Sequence, residues 1–547
     1  MDNNFEEKYN SYYQPNDLYW GIGIENETYF VTENSVIRTG EYVKKNRRRE
    51  RYSVDYSVSY DQNKLNEYLN KIFFDNDEYN VPVYINSHSL SKTDSNGEHQ
   101  TLYTVGKKIN PKFNGKTIHE LLRENYKNLI NDYDDKYVFD GDTIEFITKN
   151  FYKTTVNDTV KELVDYKNNF LNKLNSVMIQ FEMPKVLFPK VNFGLVHFAT
   201  NPNNISMFNN GTYHINLTLP TQLDKFGKIA DFPLFERHHK NAIEIIKWFE
   251  PFITALYGSP DVFSFEDNNR YSGGSLRLTA SRYVSIGTYD TNTMRQGKQL
   301  NDLRTTMFIY LYDNSWYNKV YKLTDYKQVD HIGYDINYAK HMNLGIEFRI
   351  LDYFPEEALG DFINFIILLL DHSLQTNIKI SATDSIEWHD FTTDVLIRGH
   401  LAEIPISFIK LLSKFLNLPT INETSISVYM KLLSEHLHKT YKNNICSKLM
   451  SPNMPVPVLY NINQYMWENN YLQYVPINNK NHIRVTKLYD TYCTINTNKI
   501  NFISTNKYHI LLKNTGLLTI KNLDLEKFYE KLLVISREKL LVNKYII

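Results

Sequence analysis

Gly21-Ile22-Gly23-Ile24-Glu25-Asn26-Glu27 is the stretch on which the fold turns. It lies within Tyr19 to Thr32, an apolar, alternating run that predicts a β-strand. Side chains two apart on a strand share a face. Glu25 and Glu27 therefore project together, with Ile22 and Ile24 on the opposite side, and Gly21 and Gly23 permit close backbone approach. Two like charges side by side repel unless a cation sits between them. Hard oxygen ligands of this kind suit Mg²⁺ or Mn²⁺. A strand with one solvated face gives the same alternation, so both readings stand at this point.

Four segments further along carry comparable patterns. In Asp140-Gly141-Asp142-Thr143-Ile144-Glu145-Phe146-Ile147-Thr148, Glu145 lies inside an apolar strand. A carboxylate buried there without a partner is costly. A metal, a Lys or Arg, or a water-facing edge would each relieve it. In Gly211-Thr212-Tyr213-His214-Ile215-Asn216-Leu217-Thr218-Leu219-Pro220, the residues His214, Asn216 and Thr218 share one strand face, which suggests a wet cleft or an outer surface. In Gly273-Gly274-Ser275-Leu276-Arg277, paired glycines expose backbone N–H groups and Arg277 can fork onto phosphate, although a glycine turn beside a surface Arg is the plainer reading. In Gly345-Ile346-Glu347-Phe348-Arg349-Ile350-Leu351-Asp352-Tyr353-Phe354-Pro355, Glu347 and Arg349 share a face, either as a local ion pair or as a metal ligand and a phosphate contact. One sheet face gathering all of these groups would be a metal–nucleotide site.

Composition narrows the alternatives. The chain has 547 residues, 42% of them hydrophobic, enough for a large core. With 61 basic and 62 acidic residues, the formal net charge of −1 creates no global field toward nucleic acid or anionic membrane. The basic run Lys44-Lys45-Asn46-Arg47-Arg48-Arg49-Glu50-Arg51 reads as a solvated loop. Two cysteines, Cys446 and Cys493, make neither a disulfide scaffold nor a four-cysteine zinc site, and fit a reducing, intracellular setting. The acidic, polar start from Met1 to Glu7 is not a signal peptide. The most apolar run, Phe362 to Leu370, is too short to span a bilayer and predicts a buried helix. Abundant Asn, Lys, Ile and Tyr point to an A/T-rich genome, such as that of an A/T-rich microbe or a large DNA virus; the reducing setting makes the expected location a cytoplasm, or a virion if the source is viral.

The pattern along the chain predicts a polar lead over 1–17 and loops or insertions over 33–140. Strands are expected over 142–149, 213–219 (ended by Pro220), 306–312 and 345–351. Helices are expected over 157–174, over 235–257 up to Gly258-Ser259-Pro260, and from Pro355 to Leu374. Residues 384–440 read as helical and the Asn-rich 443–483 as loops, with two short strands and a helix over 523–542 closing the chain. The best domain break falls near 380.

Taken in order, these motifs resemble the glutamate–cysteine ligase family, part of the wider group of carboxylate–amine ligases (amidoligases) with a glutamine-synthetase-like catalytic sheet. Its G-x-E-x-E strand is matched by Gly23, Glu25 and Glu27. Its L-E-F-I-T-P is matched by Ile144-Glu145-Phe146-Ile147-Thr148, with Lys149 in place of Pro. Its H-x-N-x-S-L-P tail is matched by His214 to Pro220, with one extra residue ahead of the His. G-A-S-P is echoed by Gly258-Ser259-Pro260, T-S-L-R by Gly274-Ser275-Leu276-Arg277, and E-x-R-x-L-D-x-x-P is matched by Glu347, Arg349, Leu351, Asp352 and Pro355. The resemblance spans residues 18–370. The spacing around Asp140 and Asp142, and the region after Arg277, depart from the family pattern.

The resemblance implies an α+β fold: a curved, mainly antiparallel sheet forming the active-site cleft, flanked by helices over 18–380, with a mostly helical region over 381–547. It implies metal ligands at Glu25, Glu27, Glu145, His214 and Glu347, nucleotide contacts by Arg277, Arg349, Ser275 and Asn216, and catalytic roles for Arg277, Arg349 and Glu347. The cofactors implied are ATP and Mg²⁺ (or Mn²⁺). The reaction implied joins a carboxylate to an amine through an acyl phosphate. The partners implied are small-molecule amino acid or peptide substrates, with no membrane and no nucleic acid. An amidoligase acting on a peptide, protein or polyamine, a phosphotransferase on the same fold, and a catalytically inactive binding member are the alternatives. Retention of all five ligand positions weighs against the last.

Overall fold

The computed structural model describes residues 15–38, 80–85, 90, 118–127, 129, 136–140, 143–180, 185–189, 195–196, 211–258, 275, 288–298, 335–339, 345–462, 472–477, 480–488 and 491–496. In chain order the strands are β1 (Leu18–Thr28), β2 (Phe30–Arg38), β3 (Asn80–Ile85), β4 (Tyr137–Asp140), β5 (Thr143–Ile147), β6 (Val186–Leu187), β7 (Leu195–Val196), β8 (Thr212–Gln222), β9 (Thr288–Asp290), β10 (Arg295–Lys298), β11 (Ile336–Tyr338), β12 (Ile346–Phe348), β13 (Leu472–Ile477), β14 (Lys480–Leu488) and β15 (Thr491–Asn496). The helices are α1 (Ile118–Asn125), α2 (Val156–Gln180), α3 (Phe232–Tyr257), α4 (Leu359–Gln375), α5 (Ile386–Arg398), α6 (Ile406–Leu416), α7 (Ile426–Tyr441) and α8 (Ile445–Met450).

The central sheet runs β11-β12-β8-β1-β5-β4, and every neighbouring pair in it is antiparallel. The alternation that predicts β1 continues in its partners. Ile22, Ile24, Ile144, Phe146, Tyr213, Ile215, Leu217, Ile346 and Phe348 are all buried. Helix α2 lays Phe170 against this apolar side, with ring centroids 5.3 Å from Phe146 and 4.3 Å from Tyr137. On α4, Phe362 stacks 6.2 Å from Phe348. Each large apolar side chain buried in this way contributes about 1.5–3 kcal/mol. Where β5 ends, Thr148 continues the edge: its Oγ1 accepts from Ile24 N at 2.9 Å, and its own N–H donates to Ile24 O at 3.0 Å.

Two local irregularities are answered by side chains far away in sequence. Register shifts between Tyr19, opposite Thr221, and Gly21, opposite Thr218, so Trp20 faces both Leu219 and Pro220. A bulge is where a sheet tolerates proline, and β8 therefore runs through Pro220 to Gln222 instead of ending there. The Leu219 N–H at the bulge donates to Nε2 of His239 at 3.2 Å, and Nδ1 of that ring donates to Phe235 O at 2.8 Å. In α3, Pro251 has no N–H to give Lys247 O, four residues back. The indole Nε1 of Trp388 donates to that carbonyl at 2.8 Å.

Helices on both sides of residue 380 share one apolar core. Phe252 on α3 lies 5.2 Å from Phe391 on α5 and 5.3 Å from Tyr429 on α7. The segment expected to be helical over 384–440 is three helices, α5 to α7. The stretch 443–483 contains helix α8, strand β13 and the start of β14 rather than loops alone. Asp371 caps α8: its carboxylate accepts from the N–H groups of Cys446 and Ser447 at 2.9 and 2.8 Å. The 33–140 region is not only loops either. It supplies β3 and α1, and β3 joins a second sheet, β6-β2-β3-β7. The strand expected over Tyr19–Thr32 divides at Tyr29 into β1 and β2, and that expected over 345–351 is confined to Ile346–Phe348. The basic run 44–51, the strand over 306–312 and the helix over 523–542 lie outside the described residues. Among the described residues, no helix is long and apolar enough to cross a membrane.

Gly21 and Gly23 make room for one ring. A Cβ on Gly21 would meet Phe151 at 2.0 Å, and one on Gly23 at 2.5 Å. Gly21→Ala is expected to destabilise the fold by about 1–3 kcal/mol. In a Phe151→Ala background that cost should vanish, a non-additivity that urea denaturation of the four proteins measures.

Burial lowers the His239 pKa from 6.5 to about 3, and the bond to Phe235 O only partly offsets it. The unfolded chain therefore takes up a proton below pH 6.5 that the folded chain refuses until about pH 3. The stability this ring contributes is whole above pH 6.5 and falls by about 1.4 kcal/mol per pH unit below it. Denaturation of His239→Gln beside wild type should show the gap between them closing at that rate from pH 6.5 downward.

Candidate metal and nucleotide site

The unburdened face of the central sheet collects the polar residues, and the pairing register fixes which of them meet. Glu25 lies directly opposite His214, Glu27 opposite Glu145, and Glu347 opposite Asn216 on one side and Asn337 on the other. Residues directly opposite across an antiparallel pair share a face, their Cβ atoms about 4.5–5.5 Å apart. Four carboxylates, from β1, β5 and β12, therefore converge on one imidazole from β8.

His214 is the hub and is 1% exposed. Its Nδ1 lies 3.1 Å from Glu25 Oε2 and 3.8 Å from Glu347 Oε1, and its Nε2 lies 3.5 Å from Glu27 Oε1. Asn216 donates from Nδ2 to Glu25 Oε1 at 3.1 Å. Arg349 donates from Nη1 to Glu347 Oε1 at 2.9 Å. Burial alone would lower the Arg349 pKa, but Glu347, Glu27 and Glu25 outweigh it and hold the guanidinium above its ordinary value. Ligand atoms of Glu25, Glu145 and His214 all lie within 4.8 Å of one another, close enough to hold one metal ion.

Gly211 closes the edge of this cluster. It sits at φ +102°, and a Cβ there would meet the Glu27 carbonyl oxygen at 1.8 Å. Phe151 walls the other side, because its ring rests over Gly21 and Gly23 on the face that carries Glu25. The opposite face of β1 is occupied differently. Asn26 accepts from Lys167 Nζ at 2.6 Å, and Lys167 pairs with Glu356, which ties α2 to the turn ahead of α4.

The structure brings together Glu25, Glu27, Glu145, His214, Asn216, Glu347 and Arg349 of the residues expected from sequence. Ser275 is buried, and its hydroxyl donates to Asp352 Oδ2 at 2.6 Å, which ties Ser275 to the chain beyond β12. Arg277 and Asp142 lie outside the described residues, as does the side chain of Asp140. Two site residues carry no sequence signal of their own: Asn337, in a three-residue strand, and Phe151, whose role depends on two glycines that precede it by 130 and 128 positions.

The donor set suits a hard divalent cation, being carboxylate oxygens with one imidazole. Four carboxylates face one guanidinium and one imidazole, and Glu27 and Glu145 are like charges placed directly opposite, an arrangement that costs free energy without a counter-ion. Arg349 could pair with a polyanion such as a nucleotide phosphate, which the carboxylates could meet only through a bound cation.

No family model matches the chain. The chain belongs to the same family as a protein of Acanthamoeba polyphaga mimivirus, the uncharacterized protein R704: the two are 64% identical over 543 residues, which cover 99% of this chain and 96% of the relative. Among solved structures, glutamate–cysteine ligase from Francisella tularensis in complex with AMP aligns over 96% of this chain and 98% of its own, at 11% identity and a TM-score of 0.36. A bifunctional glutathione synthetase from Pasteurella multocida aligns over 94% of this chain and 64% of its own, at 11% identity and a TM-score of 0.33. Both scores fall below the level at which a common fold is assigned.

The Glu27–Glu145 juxtaposition makes a signed prediction. In EDTA, Glu145→Gln should raise stability by about 0.2–1 kcal/mol by removing the repulsion. With millimolar Mg²⁺ or Mn²⁺ present, the wild type should gain stability and the variant should gain less. Thermal denaturation with and without the ion reads both arms.

Proposed function

We propose that the protein is an ATP- and Mg²⁺-dependent ligase that joins a carboxylate to an amine. The observation that carries this reading is the convergence, on one face of an antiparallel sheet, of Glu25, Glu27, Glu145 and Glu347 around His214, with Arg349 at their edge. The order of these residues along the chain, which resembles that of the glutamate–cysteine ligases, supports it. On this reading the sheet is the glutamine-synthetase-like cleft, and Glu25, Glu27, Glu145, His214 and Glu347 hold the divalent ions.

The described residues contribute alignment and charge rather than a nucleophile. The substrate carboxylate oxygen attacks the γ-phosphorus of ATP and ADP departs. The amine then attacks the acyl carbon, phosphate departs with the bonding pair, and the amine loses a proton. Bound divalent ions supply neutralisation of phosphate charge. Arg349, kept charged by the carboxylates around it, holds developing negative charge on the group in transfer. His214 orients Glu25 through Nδ1 at 3.1 Å, which leaves Nε2, on the side of Glu27, as its ligand atom. Phe151 and the buried apolar side of the sheet limit water at one wall. Arg277 and Ser275 belong to this proposal as nucleotide contacts through sequence resemblance, and the Ser275 hydroxyl is held by Asp352.

A peptide, protein or polyamine acceptor is the second reading. Strand β15 lies against β2 and β3, so the C-terminal sheet abuts the strand that continues β1. Additional structure beside the catalytic strand suits an acceptor larger than an amino acid.

Purified protein with ATP and Mg²⁺ should release ADP only when both a carboxylate and an amine are supplied. A panel of amino acids, peptides and polyamines then identifies the pair. Glu347→Gln should lower this turnover at least about a hundredfold while the circular dichroism spectrum is retained. An active Glu347→Gln variant would remove Glu347 from the ligand set. Absence of Mg²⁺-dependent ATP binding by the wild type would favour an inactive, binding role.

A further inference from the structure

Glu347 is 1% exposed, and both of its oxygens are engaged. Oε1 accepts from Arg349 at 2.9 Å, and Oε2 accepts from the Nδ2 amide of Asn337, directly opposite on β11. Glu25 is held in the same way: Oε1 accepts from the Asn216 amide, and Oε2 lies 3.1 Å from His214 Nδ1. Gly23, Asn216, Glu347 and Asn337 form one row across β1, β8, β12 and β11, so Glu347 stands between two neutral amides: Asn337 grips it, while Asn216 grips Glu25.

The chemistry of the grip is specific. A carboxylate with one free torsion at its end can turn, and a donor on each oxygen fixes its plane. A Lys or Arg at position 337 would fix it equally well but would add a second positive charge to the one Arg349 brings. An amide fixes it and adds no positive charge beyond that of Arg349 on the other oxygen. Groups that orient metal ligands in this way commonly change metal affinity about 10–100-fold when removed.

We infer that Asn337 is a positioning residue of the site: it sets the plane of Glu347 so that the carboxylate meets a divalent ion, with Arg349 on the other oxygen. The inference rests on the metal reading proposed above. It assigns Asn337 no contact with substrate, and its whole effect runs through Glu347.

The test is Mn²⁺ binding to the full-length protein, followed by the electron paramagnetic resonance signal of free Mn²⁺. Wild type, Asn337→Ser, Glu347→Gln and the double variant form one cycle, with Asn337→Ala run beside the serine variant in case either folds poorly. Asn337→Ser should weaken Mn²⁺ binding about tenfold, with its melting temperature close to wild type. The double variant should bind no more weakly than Glu347→Gln alone, because the amide has nothing left to orient. A serine variant within about twofold of wild type, or losses that simply add, would overturn the inference while leaving the metal site standing. A wild type that binds no Mn²⁺ would overturn the metal reading and this inference together.

Discussion

Repulsion between carboxylates held side by side is the constraint on which the site depends. Strand β1 is fixed between β5 and β8, and that register leaves Glu27 no choice but to face Glu145 and leaves Glu25 facing His214. A slip of one residue would turn every one of these side chains to the other face and bring Ile22 and Ile24 into the open. The apolar side of the sheet forbids that slip, since Ile22, Ile24, Phe146, Ile215 and Phe348 are packed beneath α2, α3 and α4. The core therefore holds the charges together, against their own preference, beside Arg349 and His214.

Supporting features follow the same logic. Thr148 extends the ladder past the end of β5 and steadies Ile24, the residue before Glu25. Gly211 lets β8 begin against the Glu27 carbonyl. Ser275 is tied to Asp352, just past the strand that carries Glu347. Each is a short-range contact, and each limits movement of a neighbouring carboxylate by a backbone or buried anchor rather than by another charge.

What the sequence made legible is the part governed by local parity. Alternation over 22–27, 144–147, 213–219 and 346–349 assigns each polar residue to a face without any tertiary information, and the faces are those found. Which residues stand opposite one another is set by pairing between distant segments, so the Glu27–Glu145 and Glu347–Asn337 contacts have no local signature. His239 shows the same limit. On a helix it looks like any buried polar residue, and its task, receiving the N–H of a bulged strand twenty residues earlier, exists only after α3 docks. The second sheet was hidden because it joins short segments far apart in sequence, β2 with β3 and β6, and β3 with β7, and β13 was hidden inside an Asn-rich stretch whose weak strand propensity pairing with β14 overrode.

Pro251 and Trp388 bear on the order in which the chain can become native. When α3 leaves the ribosome, the carbonyl of Lys247 has lost its helical donor, and the indole that replaces it lies 141 residues further along. Until that segment has been synthesised, the middle of α3 can be satisfied only by water, and a hydrated carbonyl is incompatible with the buried position the helix finally occupies. The native hydrogen bond of this carbonyl therefore waits for α5 to emerge. Large domains with long-range contacts of this kind fold slowly and expose apolar surface in the meantime.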